Sequence, residues 1–177
     1  MTALSLPVQT LTPSAFAPYG TVWGEAPAKL GLAFSNAATD FWHAHFFDAG
    51  IDGKPEVLWV NYRKNDGIID TLEVHWLTEQ AIVPLGPDGI IHVVALSDDT
   101  GTEPDLNTLR AFAVPAGYGV CMRTGCWHAT QVRTGQVSCL MLTRASTTAE
   151  LIPHLEHNAP ATETTLLALP TPYQLKP

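Results

Sequence analysis

From Phe41 onward, apolar and polar positions alternate in short runs. Alternation of period two sends successive side chains to opposite faces of a strand. Residues 57–63, 68–76, 80–85, 90–96, 109–115, 127–133 and 137–144 follow this pattern and are rich in Val, Ile and aromatic residues, so each predicts a strand. Turn chemistry separates them: KNDG, GPDG, SDDTGTEPD, PAGYG and RTGQ. Many short strands with regular turns predict an all-β barrel or sandwich. Before them, TPSAFAPYG reads as a helical turn, with Thr12 as N-cap and Pro13 in the first helical position. After them, residues 147–158 predict a short helix. A Pro-rich tail (about 150–177) follows, packing on the barrel or on a partner subunit. The expectation is one domain over 1–177 with its strand core at about 41–144.

The chain has 177 residues, enough to bury a real core. Its formal net charge is −8, with only nine Lys and Arg, which argues against nucleic acid as a partner. The start, MTALSLPVQTLTP, lacks a basic segment followed by a sustained apolar run. No stretch approaches the ~20 apolar residues of a membrane span. Cys121, Cys126 and Cys139 have no paired spacing and read as reduced, buried thiols. These features lead us to expect a cytoplasmic protein with no membrane partner.

The strand pattern is interrupted at EVHWLTEQAIVPLG, where Glu73, His75 and Glu79 all fall on odd positions and would share one face of a straight strand. Ionisable groups are rarely buried without partners. Four residues of straight strand span about 13 Å, too far for His75 and Glu79 to meet at one ion. A turn near Leu77 and Thr78 would bring Glu79 back beside His75. The spacing Glu73-x-His75-x3-Glu79-x6-Gly86, followed by Gly117-x5-Arg123-x-Gly125-x2-His128-x3-Val132, resembles the two motifs of the cupin superfamily. Glu73 stands at the usual first His, Arg123 at the usual Pro and Val132 at the usual Asn. Convergence of Glu73, His75, Glu79 and His128 inside the barrel would suit a divalent Mn, Fe, Ni or Zn ion. Singly, each of these residues is equally compatible with a hydrogen-bonded or solvated strand position.

A narrower resemblance covers the chain from Leu11 to Arg144. LTPSAFAPYG, LEVHWLTEQAIVPLG, VVAL, PDLNTLRAF, GVCMRTGCWH and LTR, in this order, are similar to the ureidoglycolate lyase family. The resemblance implies a cupin-type (double-stranded β-helix) barrel with short terminal extensions and a homodimer. It also implies cleavage of ureidoglycolate to glyoxylate and urea in allantoin use, with a divalent metal, nickel among those attributed. Several positions depart from the family pattern: Val74 for Arg, Trp76 for Pro, Cys121, Met122 and Arg123 for a polar run, Ala129 for His, and Phe41 for Arg. They imply a more apolar site and a less polar substrate, while Glu79 and Gly86 restore the general cupin spacing.

Ureidoglycolate is a hemiaminal bearing a carboxylate. Cleavage needs a grip on the carboxylate, a base for the hydroxyl proton, and protonation of the leaving urea nitrogen. Glu73, His75 and His128 are the catalytic candidates. Arg63, Arg110 and His43 are the candidates for binding the small carboxylate substrate, with Arg123 and Arg144 as further guanidinium groups. His43 and His45 share a strand face, His92 reads as structural, and His154 and His157 as solvated. The same ligand set would also serve a cupin isomerase, hydrolase or dioxygenase, or a non-catalytic ligand-binding cupin. The apolar FWHAHFF segment and the tail are surfaces that a second subunit would cover.

Overall fold

The computed structural model describes residues 2–24 and 33–177. In chain order its elements are β1 (Leu4–Thr10), α1 (Pro13–Phe16), β2 (Gly20–Trp23), β3 (Ala33–Ser35), β4 (Asp40–Trp42), β5 (Pro55–Arg63), β6 (Ile68–His75), β7 (Gln80–Pro84), β8 (Ile90–Ala95), β9 (Arg110–Val114), β10 (Gly119–Met122), β11 (Trp127–Gln131), β12 (Gln136–Arg144), α2 (Ala145–His157) and β13 (Thr164–Lys176). A closed barrel takes the order β1-β13-β6-β11-β8-β9. A five-stranded sheet, β2-β10-β7-β12-β5, lies against it, and β3 and β4 form a separate pair. This is an all-β barrel, one of the two architectures that the strand pattern predicts. No helix among the described residues is long and apolar enough to cross a membrane.

Strand alternation builds two apolar layers. Leu72, Val74, Val93, Ala111 and Trp127, all from barrel strands, belong to one core cluster, which fills the barrel. Ile82, Val94, Phe112, Val120, Met122 and Met141 come from both sheets and form the layer between them. Burying a large apolar side chain of this kind contributes about 1.5–3 kcal/mol. Two adjacent layers demand burial on both faces of β8, and all six of its residues are buried.

The expected strand core at 41–144 is too narrow. Strands at both ends of the chain complete the barrel: β1 runs parallel to β13 and to β9, while β13 pairs antiparallel with β6. The sequence reading took β13 for a tail because of Pro170 and Pro172. Proline cannot donate to a ladder. The β13–β6 register breaks between Ala168 and Tyr173, which takes both prolines out of the pairing. α1 forms as expected: the Thr12 hydroxyl accepts from the Ala15 N–H at 3.2 Å, and Phe16 is buried. α2 ends at Asn158, whose left-handed backbone (φ 54°) closes the helix by donating to the His154 carbonyl at 2.9 Å.

Candidate functional site

The polar site lies between the two sheets rather than inside the closed barrel. Leu72 and Val74 of β6 point into the barrel core, so Glu73 and His75 point the other way. On β11, Trp127 enters the barrel core and His128 faces the inter-sheet layer. Glu73 and His128 are direct register partners across β6 and β11. His75 Nε2 lies 3.6 Å from one Glu73 oxygen, and His128 Nε2 lies 3.9 Å from the other. The two imidazole centroids are 5.2 Å apart.

Hydrogen bonds orient both imidazoles. His128 Nδ1 lies 3.1 Å from the Cys126 carbonyl, which can only accept, so Nδ1 carries a proton and Nε2 is turned toward Glu73. His75 Nε2 accepts from the Gln80 amide nitrogen at 2.7 Å, leaving Nδ1 to donate to the Thr164 hydroxyl at 3.0 Å. Burial, and then the neighbouring His128, pull the His75 pKa down to about 3, so it is neutral at pH 7. His92, fully buried behind His128, is held well below the usual imidazole range, chiefly by burial. Burial also raises the Tyr62 phenol above its usual range, so Tyr62 remains a hydrogen-bond donor in the cavity wall.

His128 Nε2 and Glu73 Oε1 are buried and have no hydrogen-bond partner among the described residues. Buried acceptors in this state cost about 1–3 kcal/mol each and call for an explanation. Here the explanation is chemical. One ligand atom each from Glu73, His75 and His128 lie within 4.8 Å of one another. Two imidazoles and a carboxylate suit a divalent metal with open positions, His75 joining as a ligand by giving up the Gln80 amide on its Nε2. The Cys126 carbonyl and the Thr164 hydroxyl orient the rings, as outer-shell partners of metal-bound histidines do.

The three residues open onto a cavity of about 300 Å³. Gln80, Thr130 and Thr143 add polar groups beside them. Leu58, Val60 and Met141 line it from β5 and β12, and α2 adds Thr147, Thr148, Leu151, Ile152 and Leu155. Among the described residues, no Arg or Lys lines this cavity.

The structure therefore separates several residues that the sequence grouped. Glu79 does not join Glu73, His75 and His128. The chain bends at Trp76 and Leu77, and β7 begins at Gln80 with Gln80 and Ile82 facing inward. The bend resets the odd–even count, so Glu79 points outward. There its Oε2 meets His45 Nε2 at 2.7 Å, the Asp48 N–H at 2.9 Å and the Cys121 thiol at 3.8 Å. Burial first and Glu79 second raise the Cys121 pKa, keeping it a thiol. Arg63 lies on the exposed face of β5, opposite Tyr62. Arg110 curls back onto the carbonyls of Asn107 and Leu109. His43 is exposed and packs on Phe46, with ring centroids 4.0 Å apart. Arg123 binds the Ala17 carbonyl, and Arg144 binds those of Ala49 and Ile51. None of these cationic or imidazole side chains reaches the cavity wall among the described residues.

Sequence reasoning missed Gln80 and the cavity-facing side of α2. Both signals were present. Gln80 shares its strand face with Ile82, a core residue. Thr147, Leu151 and Leu155 recur every four residues, the spacing of one helix face.

The family model described as Ureidoglycolate lyase matches residues 3–159. A ureidoglycolate lyase of Salmonella typhimurium is 41% identical over 61 residues, 34% of this chain and 36% of that one. One from Saccharomyces cerevisiae is 34% identical over 70 residues, 38% of this chain and 36% of that one. The matched stretch thus spans little more than a third of these relatives' length. Among solved structures, a Bacillus subtilis oxalate decarboxylase overlays loosely, with a TM-score of 0.38 and 10% identity over 64% of this chain and 33% of that one. A dTDP sugar isomerase from Desulfovibrio desulfuricans gives 0.40 and 14% over 78% and 80%. With the family model matching nearly the whole length, the chain belongs to the ureidoglycolate lyase family.

Proposed function

We propose that the protein is an enzyme, a carbon–nitrogen lyase of the amidine-lyase type. It cleaves ureidoglycolate, or a close hydroxy-acid relative, to glyoxylate and urea or the corresponding amide. The observation that carries this reading is the pair of buried, unpartnered acceptors, Glu73 Oε1 and His128 Nε2, beside a neutral His75. Buried acceptors without donors call for an explanation, and a ligand or ion bound between them would supply one.

Glu73 takes the proton of the substrate hydroxyl. The oxygen's electron pair then forms the C=O bond as the C–N bond breaks. The pair from that bond goes to the urea nitrogen, which receives the proton back from Glu73. Gln80, Tyr62 and Thr130 supply donors for the substrate's oxygens. A divalent metal would be held by Glu73, His75 and His128, and would supply Lewis-acid stabilisation of the substrate's oxygens. With no guanidinium at the cavity wall, the grip on the carboxylate falls to these donors and to that ion. The test is release of glyoxylate from ureidoglycolate by purified protein, with and without added Ni²⁺ or Mn²⁺. Turnover supports the reading; no turnover with either ion contradicts it.

We further propose a cytoplasmic homodimer. Three free, buried cysteines suit a reducing compartment. Val57 and Trp59 are 62% and 65% exposed on edge strand β5, in register with Leu142 and Leu140 of β12, an apolar strip suited to a second copy.

A further inference from the structure

The cavity has two unlike ends. At one end stand Glu73, His75, His128 and Gln80. At the other, Leu58, Met141, Leu151 and Leu155 form an apolar wall divided between the five-stranded sheet and α2. Leu155 is 63% exposed and Ile152 is 52% exposed, although both line the cavity. Helix residues that served only the protein's own packing would be covered by it. These face the open part of the cavity, where a bound molecule can cover them. The polar end sets what that molecule carries: oxygen atoms to meet the imidazoles and the carboxylate, or an ion bound to them. The far end offers a mainly aliphatic surface, with the Thr147 and Thr148 hydroxyls beside it and no charged group among the described residues, so it suits an uncharged, apolar substituent.

We propose that the substrate is a small α-hydroxy acid derivative bearing an aliphatic substituent, and that Leu151 and Leu155 of α2 select it by burying that substituent. This rests on the lyase reading for the polar end only. Each methylene carried from water to the apolar wall would tighten binding about fourfold.

The experiment is calorimetric binding of glycolate, lactate, 2-hydroxybutyrate and 2-hydroxy-4-methylpentanoate to the full chain in Mn²⁺. Affinity is expected to rise about fourfold per added carbon. Leu151→Asn and Leu155→Asn are expected to flatten that rise, and both should fold because neither side chain is fully buried. Ile51→Asn, at a 90% exposed position outside the cavity, is expected to keep it. If glycolate binds and the longer acids bind no tighter, the apolar subsite is wrong, the lyase reading stands, and the face of α2 is left to a second copy. A rise that survives Leu151→Asn and Leu155→Asn overturns the role of α2. Failure of every acid to bind overturns the apolar subsite, while glyoxylate release from ureidoglycolate decides the lyase reading separately.

Discussion

Two acid–imidazole clusters flank the bend between β6 and β7, and they are opposites. Around Glu79 the carboxylate oxygen Oε2 is saturated: it accepts from His45, from the Asp48 N–H and from the Cys121 thiol. Around Glu73, two buried atoms, Glu73 Oε1 and His128 Nε2, have no hydrogen-bond partner among the described residues. Both clusters pass as metal-ligand groups on residue type and distance alone. Their hydrogen bonding tells them apart. A saturated cluster holds the chain where it is, pinning the segment before β5 to the start of β7. An unsaturated one costs stability, and folded proteins keep such costs where a ligand or a reaction recovers them.

The largest expected effect is at the unsaturated cluster. His128→Ala removes the free Nε2 and should lower kcat for glyoxylate release about 10²–10⁴-fold, with kcat/KM falling in parallel. Steady-state kinetics would show it, and a fall in KM affinity alone would blur the contrast with Glu79. At the saturated cluster, Glu79→Ala strands three donors. It should cost about 1–3 kcal/mol of stability in denaturant titration while leaving turnover within about twofold. A stable Glu79→Ala with no activity would reverse the two roles.

The pH response divides the clusters further. His75 titrates near 6.5 when unfolded and near 3 when folded. Above pH 6.5 both states are neutral and the difference contributes nothing. As the pH falls from 6.5 toward 3, the unfolded chain binds a proton that the folded chain refuses. Stability should therefore fall by about 1.4 kcal/mol per pH unit in that window. His92 acts in the same direction. His75→Gln should reduce the slope of stability against pH. An unchanged slope would mean that His75 is already protonated in the folded state. The smallest effects belong to Arg63→Ala and Arg110→Ala, whose side chains lie off the cavity. KM should stay within about twofold for each, and a large rise would restore a guanidinium grip on the carboxylate.

Most barrel strands could be read from alternation because two-layer burial writes period two, or a continuous apolar run, into each of them. β13 could not, because Pro170 and Pro172 are turn signals locally and only the break in its pairing with β6 accommodates them. In the candidate site, Glu73 and His75 were legible because they share a strand face, and His128 because its spacing resembles the second cupin motif; the structure then makes it the register partner of Glu73. Glu79 misled for a geometric reason. Counting odd positions assumes a straight strand, and the bend at Trp76 and Leu77 hands the inner face to the even residue Gln80. The arginines misled because a strand arginine next to a family motif looks the same in sequence whether it faces the cavity or the solvent. Only the partner of each guanidinium, here mostly backbone carbonyls, decides that.

The most direct test sets the two carboxylates side by side. Glyoxylate release from ureidoglycolate, in the presence of Mn²⁺ or Ni²⁺, would be measured for the wild-type chain, Glu73→Gln and Glu79→Gln. Removing the base at the unsaturated cluster should abolish turnover down to about 1% or less, while the same change at the saturated cluster leaves it near wild type. Full activity in Glu73→Gln, or its loss in Glu79→Gln with the fold intact, would contradict the assignment of the reaction to the Glu73–His75–His128 site.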